Sequence, residues 1–392
     1  MRKILFRSLL CTFLCLGILL SSGCQQIFDS IGDVFDELPG IGERTNAPLE
    51  GDLLPSTGTY LYGEEKAEGN VQYVYDLLEE FVLRTVPGDC IVLDRSKKVT
   101  YDEAAAAIQW FCADHPEAFW FDGGFQYSSL GDTVGELEFS YLFTGEALNT
   151  ARVRLDAAVN EILKDLPSEG GAFEKALYLH DAVAEKVFYE KVGHHQTAYG
   201  ALVDGKAVCA GYASAYQLLL QRAGISACTV SGVSKNPGAQ GGNSAPERHA
   251  WNMVWLDPNT CVYTDVTWDD QDDTIFHQYF NLSYAEIRID HTEDAYFVLP
   301  TCNHETFSYF DRNNRLVIHS DTAPEEAAAC FEAVQEGKWS AVLYYEDDRE
   351  TFEDWIGRNM SRIYRLLAGR SGSSTVRWSR LGNEYSVVLE RK

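Results

Sequence analysis

Three short strings between Tyr199 and Asp270 hold the residues best suited to chemistry. They are Gly205-Lys206-Ala207-Val208-Cys209-Ala210-Gly211-Tyr212, His249-Ala250-Trp251-Asn252 and Asp265-Val266-Thr267-Trp268-Asp269-Asp270. A thiol, an imidazole and a carboxylate therefore arrive in that order. A thiolate is the nucleophilic form of cysteine, an imidazole can move its proton, and a carboxylate can fix the imidazole's tautomer and orientation. Taken singly, each residue has a plainer reading: a lone cysteine is among the commonest buried residues and a single histidine is more often structural. The combination, each member in its own distinctive string, points to nucleophilic catalysis.

The elements that must position them follow from local pattern. Asp204-Gly205 is a turn signal. From Cys209, the residues Tyr212, Ala213, Tyr216, Leu219, Leu220 and Ala223 recur at helical spacing, and Gly224 is a stop. Cys209 thus opens a helix, where free amides and the helix dipole favour an anion. Gly211 keeps the first turn uncrowded. Ile225 to Val233, Arg248 to Leu256 and Cys261 to Val266 read as strands, with Asp257-Pro258-Asn259-Thr260 as a turn. On an antiparallel hairpin His249 and Asp265 are expected to lie across from each other.

These strings closely resemble the transglutaminase-like superfamily, in its bacterial branch of secreted or surface proteins. The matching run is Tyr199 to Ala213, followed by the His-Ala-Trp-Asn and Asp-Val-Thr-Trp-Asp-Asp strings and by Tyr279-Phe280-Asn281-Leu282-Ser283. The resemblance spans about Phe173 to His291. It implies an α+β fold: a papain-like core in which the helix-borne cysteine packs on an antiparallel sheet carrying the histidine and the aspartate. It also makes Cys209 the nucleophile, His249 the base and Asp265 its orienting carboxylate. The family includes transamidases, peptidases, amidases and members without catalysis, so the resemblance fixes the site better than the substrate.

Ahead of this core, residues 1–23 read as an export signal, with Arg2, Lys3 and Arg7 before the apolar Ser8 to Leu20. Ser21-Ser22-Gly23-Cys24 resembles a lipoprotein cleavage box, with Cys24 as the lipidated residue and Ser21 where an aliphatic residue is usual. Ordinary secretion or an uncleaved anchor are the alternatives. All three place the body outside the cytoplasm, and the lipid reading puts it at the cell membrane. Residues 24–58 form a tether with a short amphipathic helix whose polar face is acidic. Residues 59–148 read as an N-terminal α/β region with helices at Asn70–Arg84 and Tyr101–Ala113 and strands around Phe125 and Glu138–Phe143. Within it, His115 beside Pro116 reads as structural. The catalytic domain spans 149–299, opening with helices at Asn149–Leu166 and Phe173–Glu190, where His180 reads as a packed face residue. Residues 300–392 form a small α/β appendage: helices at Ala323–Gln335 and Asp348–Leu367, strands at Ser340–Tyr345, Thr375–Trp378 and Tyr385–Leu389.

Composition fits this picture. The chain has 392 residues, 45% hydrophobic and 12% aromatic, with a formal net charge of −27. Such a field repels nucleic acid and favours cationic or neutral substrates. His194-His195 lacks ligand spacing, and the acidic run Asp269, Asp270, Asp272, Asp273 is not a calcium-loop pattern but a solvated loop. No metal or cofactor is expected. Setting aside Cys11, Cys15, Cys24 and Cys209 leaves Cys90, Cys112, Cys228, Cys261, Cys302 and Cys330. Export permits disulfides among these, and Cys228 and Cys261 on neighbouring strands read as small core residues.

The sequence therefore implies a monomeric, lipid-anchored cysteine enzyme that hydrolyses amide or peptide bonds, with peptides of the cell wall or surface as substrates. A glutamine transamidase and a non-catalytic peptide- or glycan-binding module are the alternatives. The backbone amide of Cys209 is the expected oxyanion donor, with Tyr199 and Trp251 as further candidates at the substrate. The polar, glycine-rich Ser234–Ser244 loop, expected at the cleft rim, favours admitting water over sealing a dry tunnel.

Overall fold

A computed structural model describes residues 61–83, 90–235, 246–271, 274–295, 316–369, 371–382 and 384–392, with Phe297, Leu299 and Tyr309. The export signal, Cys24, the tether, Asp272, Asp273, Cys302 and most of the Ser234–Ser244 loop lie outside them. Among the described residues no helix is long and apolar enough to cross a membrane.

The N-terminal region holds α1 (Tyr62–Lys66), α2 (Gly69–Leu78, continued by a π turn over Glu79–Leu83) and α3 (Tyr101–Asp114). Strands β1 (Cys90–Val92), β2 (Phe121–Leu130) and β3 (Thr133–Tyr141) form an antiparallel sheet in the order β1-β3-β2. Thr100 and Glu103 close a capping box on α3, a device that contributes about 1 kcal/mol.

The core begins with α4 (Gly145–Leu163) and α5 (Ala172–Lys186). The short strands β4 (Phe188–Tyr189) and β5 (Lys206–Ala207) pair in parallel and deliver the chain to α6 (Cys209–Arg222). Next come β6 (Ser226–Ser234), β7 (Glu247–Asp257) and β8 (Thr260–Thr264), then α7 (Val266–Asp269), the hairpin β9 (Asp270–Gln271) and β10 (Thr274–Ile275), α8 (Tyr284–Ile287) and β11 (His291–Glu293). The main sheet is antiparallel with the order β11-β6-β7-β8, and α6 packs on β6 and β7. This is the α+β, papain-like arrangement.

Buried polar ties set the height and rotation of α6. Asn252 Nδ2 on β7 donates to Ala213 O at 3.0 Å, binding helix to sheet. Further along the helix Gln217 Nε2 donates to Ala113 O at 2.7 Å, and Gln221 Nε2 to Asp114 O at 3.1 Å. Each buried bond is worth about 1 kcal/mol made and costs more if one partner is lost. One hydrophobic cluster runs from Val74 through Phe111 and Leu155 to Tyr216 and Phe280. The N-terminal region, read from sequence as separate, therefore shares its core with α6, the helix that Cys209 opens.

The C-terminal region has its own cluster around Leu343, Trp355 and Val387. It comprises β12 (Leu316–Ile318), α9 (Pro324–Ala328), β13 (Glu332–Gln335), β14 (Lys338–Tyr345), α10 (Phe352–Ala368), β15 (Ser374–Leu381) and β16 (Glu384–Arg391). The helix expected over Ala323–Gln335 stops at Ala328. Glu332–Gln335 instead pairs antiparallel with β14, because the alanine-rich start has helix propensity but the following segment meets an open strand edge.

The candidate active site

Cys209 is the first residue of α6, partly exposed, with Val208 as an extended N-cap. Gly205, at φ 70°, makes the turn into β5, a conformation that favours glycine. Gly211 sits against a neighbouring loop. A Cβ there would meet His195 O at 2.5 Å and Ala207 Cβ at 2.7 Å, so glycine lets the His195 loop brace the first turn. At the start of a helix the leading N–H groups have no intrahelical partner and face whatever lies before the axis.

His249 lies on β7, nearly buried, with Nε2 2.7 Å from Asp265 Oδ2. Its other nitrogen is left for the Cys209 thiol. Burial alone would push the His249 pKa down. The Asp265 charge and hydrogen bond, with those of Cys209, outweigh burial and raise it to about 10. The direction of that shift favours the protonated ring over the neutral one beside the sulfur.

Asp265 is not opposite His249 in the sheet. The register pairs Thr264 with Asn252, so β8 ends before Asp265. The residue instead caps α7: Oδ1 accepts from Thr267 N at 3.0 Å and Trp268 N at 3.3 Å. Capping turns Oδ2 toward the imidazole. Burial opposes the charged form of Asp265, but His249 and His291 hold its pKa well below the ordinary carboxylate range.

His291 is the member that sequence reasoning missed. Fully buried at the start of β11, it places Nε2 3.2 Å from Asp265 Oδ2 and Nδ1 2.6 Å from Asp290 Oδ1. Asp290 Oδ2 accepts from Tyr279 Oη at 2.8 Å. The adjacent Asp290-His291 pair, just after the Tyr279–Ser283 string, was the available signal.

The two other candidates go elsewhere. Tyr199 is buried, stacked on Phe119 at 5.1 Å, and its hydroxyl accepts from Arg154 Nη1 at 2.7 Å. Its place is in the packing rather than at the oxyanion. Trp251 is 1% exposed and lies behind His249, ring centroids 6.3 Å apart, so it backs the imidazole instead of meeting substrate. His115 is buried and held by Glu117 at 2.8 Å, a structural role. His194 and His195 diverge, toward Asp204 and Gly193 O respectively.

The acidic run is not a solvated loop at its start. Asp269 is fully buried, its Oδ2 3.2 Å from His180 Nε2 and both oxygens accepting from Tyr279 N. Asp270 Oδ2 is 2.6 Å from Tyr212 Oη. His180 also meets Asp181 at 2.8 Å, and His277 Nε2 meets the same Asp181 oxygen at 2.8 Å. Two groups, His180/Asp181/His277 and His249/Asp265/His291, bring possible metal-ligand atoms within 4.8 Å of one another. In both, hydrogen bonds between histidine and carboxylate already satisfy the facing atoms. Of the remaining cysteines, Cys112, Cys228 and Cys330 carry free thiols, and Cys228 and Cys261 are buried in one hydrophobic cluster as their strands suggested, with Cys261 in addition disulfide-bonded. Burial pushes the Cys112 thiol up to about 12.

Residues 158–267 match the family model of the transglutaminase-like superfamily. This stretch is a transglutaminase-like domain. It includes Cys209, His249 and Asp265. Among solved structures, the chain is similar to a cysteine-protease candidate from Cytophaga hutchinsonii, at 14% identity over 37% of this chain and 61% of that one, TM-score 0.25. It is also similar to a TGase, at 13% over 71% and 64%, TM-score 0.26. A protease candidate from Parabacteroides distasonis matches at 11% over 69% and 62%, TM-score 0.20. The chain thus spans under two thirds of the length of each. No curated protein matches it.

Proposed function

We propose that the protein is a cysteine-dependent hydrolase of amide or peptide bonds. One observation carries the reading: His249 stands between the Cys209 thiol and a buried, capped Asp265. In the proposed reaction the Cys209 thiolate attacks the carbonyl carbon, and the backbone N–H of Cys209 meets the oxyanion. The C–N bond then breaks as the His249 imidazolium gives its proton to the departing amine. Water, losing a proton to His249, cleaves the thioester and releases the acid and the thiolate.

Flanking features suit a peptide. Phe188 and Tyr189, beside the strand that leads to Cys209, are 74% and 63% exposed. A cavity of about 230 Å³ borders the first turns of α6, lined by Ala210, Ser214, Phe111, Pro116, Phe119 and Phe121. With Asp122, Gln196 and Thr197 also on its lining, it would take one side chain of an acyl donor that is part apolar and part polar. A larger cavity, about 570 Å³, runs from Tyr189 past Asp270 and His277 to β14 and β16. Its carboxylates Glu185 and Glu332 favour a second reading, transfer of the acyl group to an amine, since they would concentrate cationic amines, which attack once deprotonated. Lipid attachment at Cys24, placing the enzyme on the extracytoplasmic face of the membrane, remains part of the proposal. Cys24→Ser should release it, and unchanged membrane association would refute the anchor.

The deciding experiment incubates a peptide pool with enzyme, a labelled primary amine and H₂¹⁸O. Cleaved peptide or free acid carrying ¹⁸O, absent with Cys209→Ser, supports hydrolysis. Efficient amine incorporation with little ¹⁸O would favour transfer, and no turnover of either kind would favour a binding module.

A further inference from the structure

Behind the Asp265 carboxylate stands a second histidine whose surroundings constrain its charge. His291 is 1% exposed, and both ring nitrogens face carboxylate oxygens, at 3.2 Å on Asp265 and 2.6 Å on Asp290. A neutral imidazole has one lone pair, which would confront an anion at one of these contacts. Two N–H donors satisfy both. The other titratable groups facing the ring are His249, at a centroid distance of 5.4 Å, and Tyr279, at 5.8 Å. The indoles of Trp268 and Trp251, at 4.6 and 4.8 Å, close the remaining sides. The Tyr279 hydroxyl is committed to Asp290, so the chain Tyr279–Asp290–His291–Asp265–His249 is continuous.

We propose that His291 is a positioning residue for catalysis: clamped by Asp290, it locks the Asp265 carboxylate against His249 and keeps a fixed positive charge behind it. The proposal rests on Cys209 and His249 being the reactive pair. Its two consequences are separable. Locking fixes the direction of Oδ2, which Asp265 shares between the two rings. The charge offsets part of the Asp265 field at His249, so His249 releases its proton more easily than it would beside a bare carboxylate. Burial lowers the readiness of His291 itself to be charged, and the hydrogen bonds from Asp265 and Asp290 override it, so its pKa is raised.

The test reads Cys209 alkylation by iodoacetamide against pH in full-length protein, with turnover measured beside it. His291→Gln keeps a donor toward Asp265 but removes the charge. Because losing a nearby cation makes His249 hold its proton more tightly, the pH window of reactivity should move up by about one unit, with kcat at its own optimum within about fivefold of wild type. His291→Ala loses the lock as well, and kcat should fall about 10- to 100-fold with KM within about twofold. His291→Asn serves if the glutamine variant does not fold. An unmoved window in a folded variant overturns the proposal, as does a loss of activity that only tracks melting temperature. If wild-type Cys209 alkylates no faster than Cys330, the nucleophile reading itself fails, and the proposal with it.

Discussion

Two histidine clusters flank the four-residue helix α7, and their difference separates the proposed chemistry from architecture. At its N-terminus Asp265 meets His249 and His291; at its C-terminus Asp269 meets His180, which Asp181 holds from the other side. His180 and His291 have carboxylates on both nitrogens and stand as buried cations. Burial disfavours a charged His180, but its two aspartates raise its pKa to about 9. His249 alone has a carboxylate on one nitrogen and a thiol on the other. What a histidine's second nitrogen faces therefore decides whether it is a tie or a reagent.

Breaking the reagent should give the largest effect on turnover. Cys209→Ser and His249→Ala should each lower kcat/KM by at least about 10⁴-fold. Asp265→Asn, which keeps an oxygen for the cap but alters the charge and tautomer, should cost about 10²- to 10⁴-fold. Asp265→Ala is the poorer test, since it also strips the cap from α7 and leaves two buried imidazoles without their anion. Kinetics on matched folded protein check both.

Breaking the tie should do the reverse. His180→Ala leaves Asp181 and Asp269 without their shared cation and should cost about 3–5 kcal/mol of stability, while kcat per folded molecule stays within about threefold of wild type. Urea unfolding and active-site titration separate the two. A smaller effect belongs to pH. Because the His180 pKa is raised in the fold from 6.5 to about 9, its stabilisation is full below about 6.5 and is lost as pH rises through about 9. The melting-temperature gap between wild type and His180→Gln should narrow over that range, and a gap constant with pH would contradict the buried-cation reading.

The comparison also marks how far sequence could reach. The grouping of Cys209, His249 and Asp265 was legible because each lies in a distinctive string, and the helix and strands around them follow from periodicity. The clamps were not. His180 and Asp269 are 89 residues apart, and no local pattern pairs them. Asp265 was read as the end of a strand because Cys261 to Val266 is rich in β-formers, whereas its side chain caps a turn. The union of the N-terminal region with the core depends on Gln217 and Gln221, which at helical spacing look like ordinary surface positions.

The central claim is that Cys209 and His249 form one reactive pair. Iodoacetamide labelling at pH 6, mapped by mass spectrometry on wild type and His249→Ala, tests it most directly. The account predicts that Cys209 in wild type labels at least about tenfold faster than Cys90, Cys112 or Cys330, and that His249→Ala removes the advantage. Equal labelling of Cys90 or Cys112, or a Cys209 rate unchanged without His249, would contradict it.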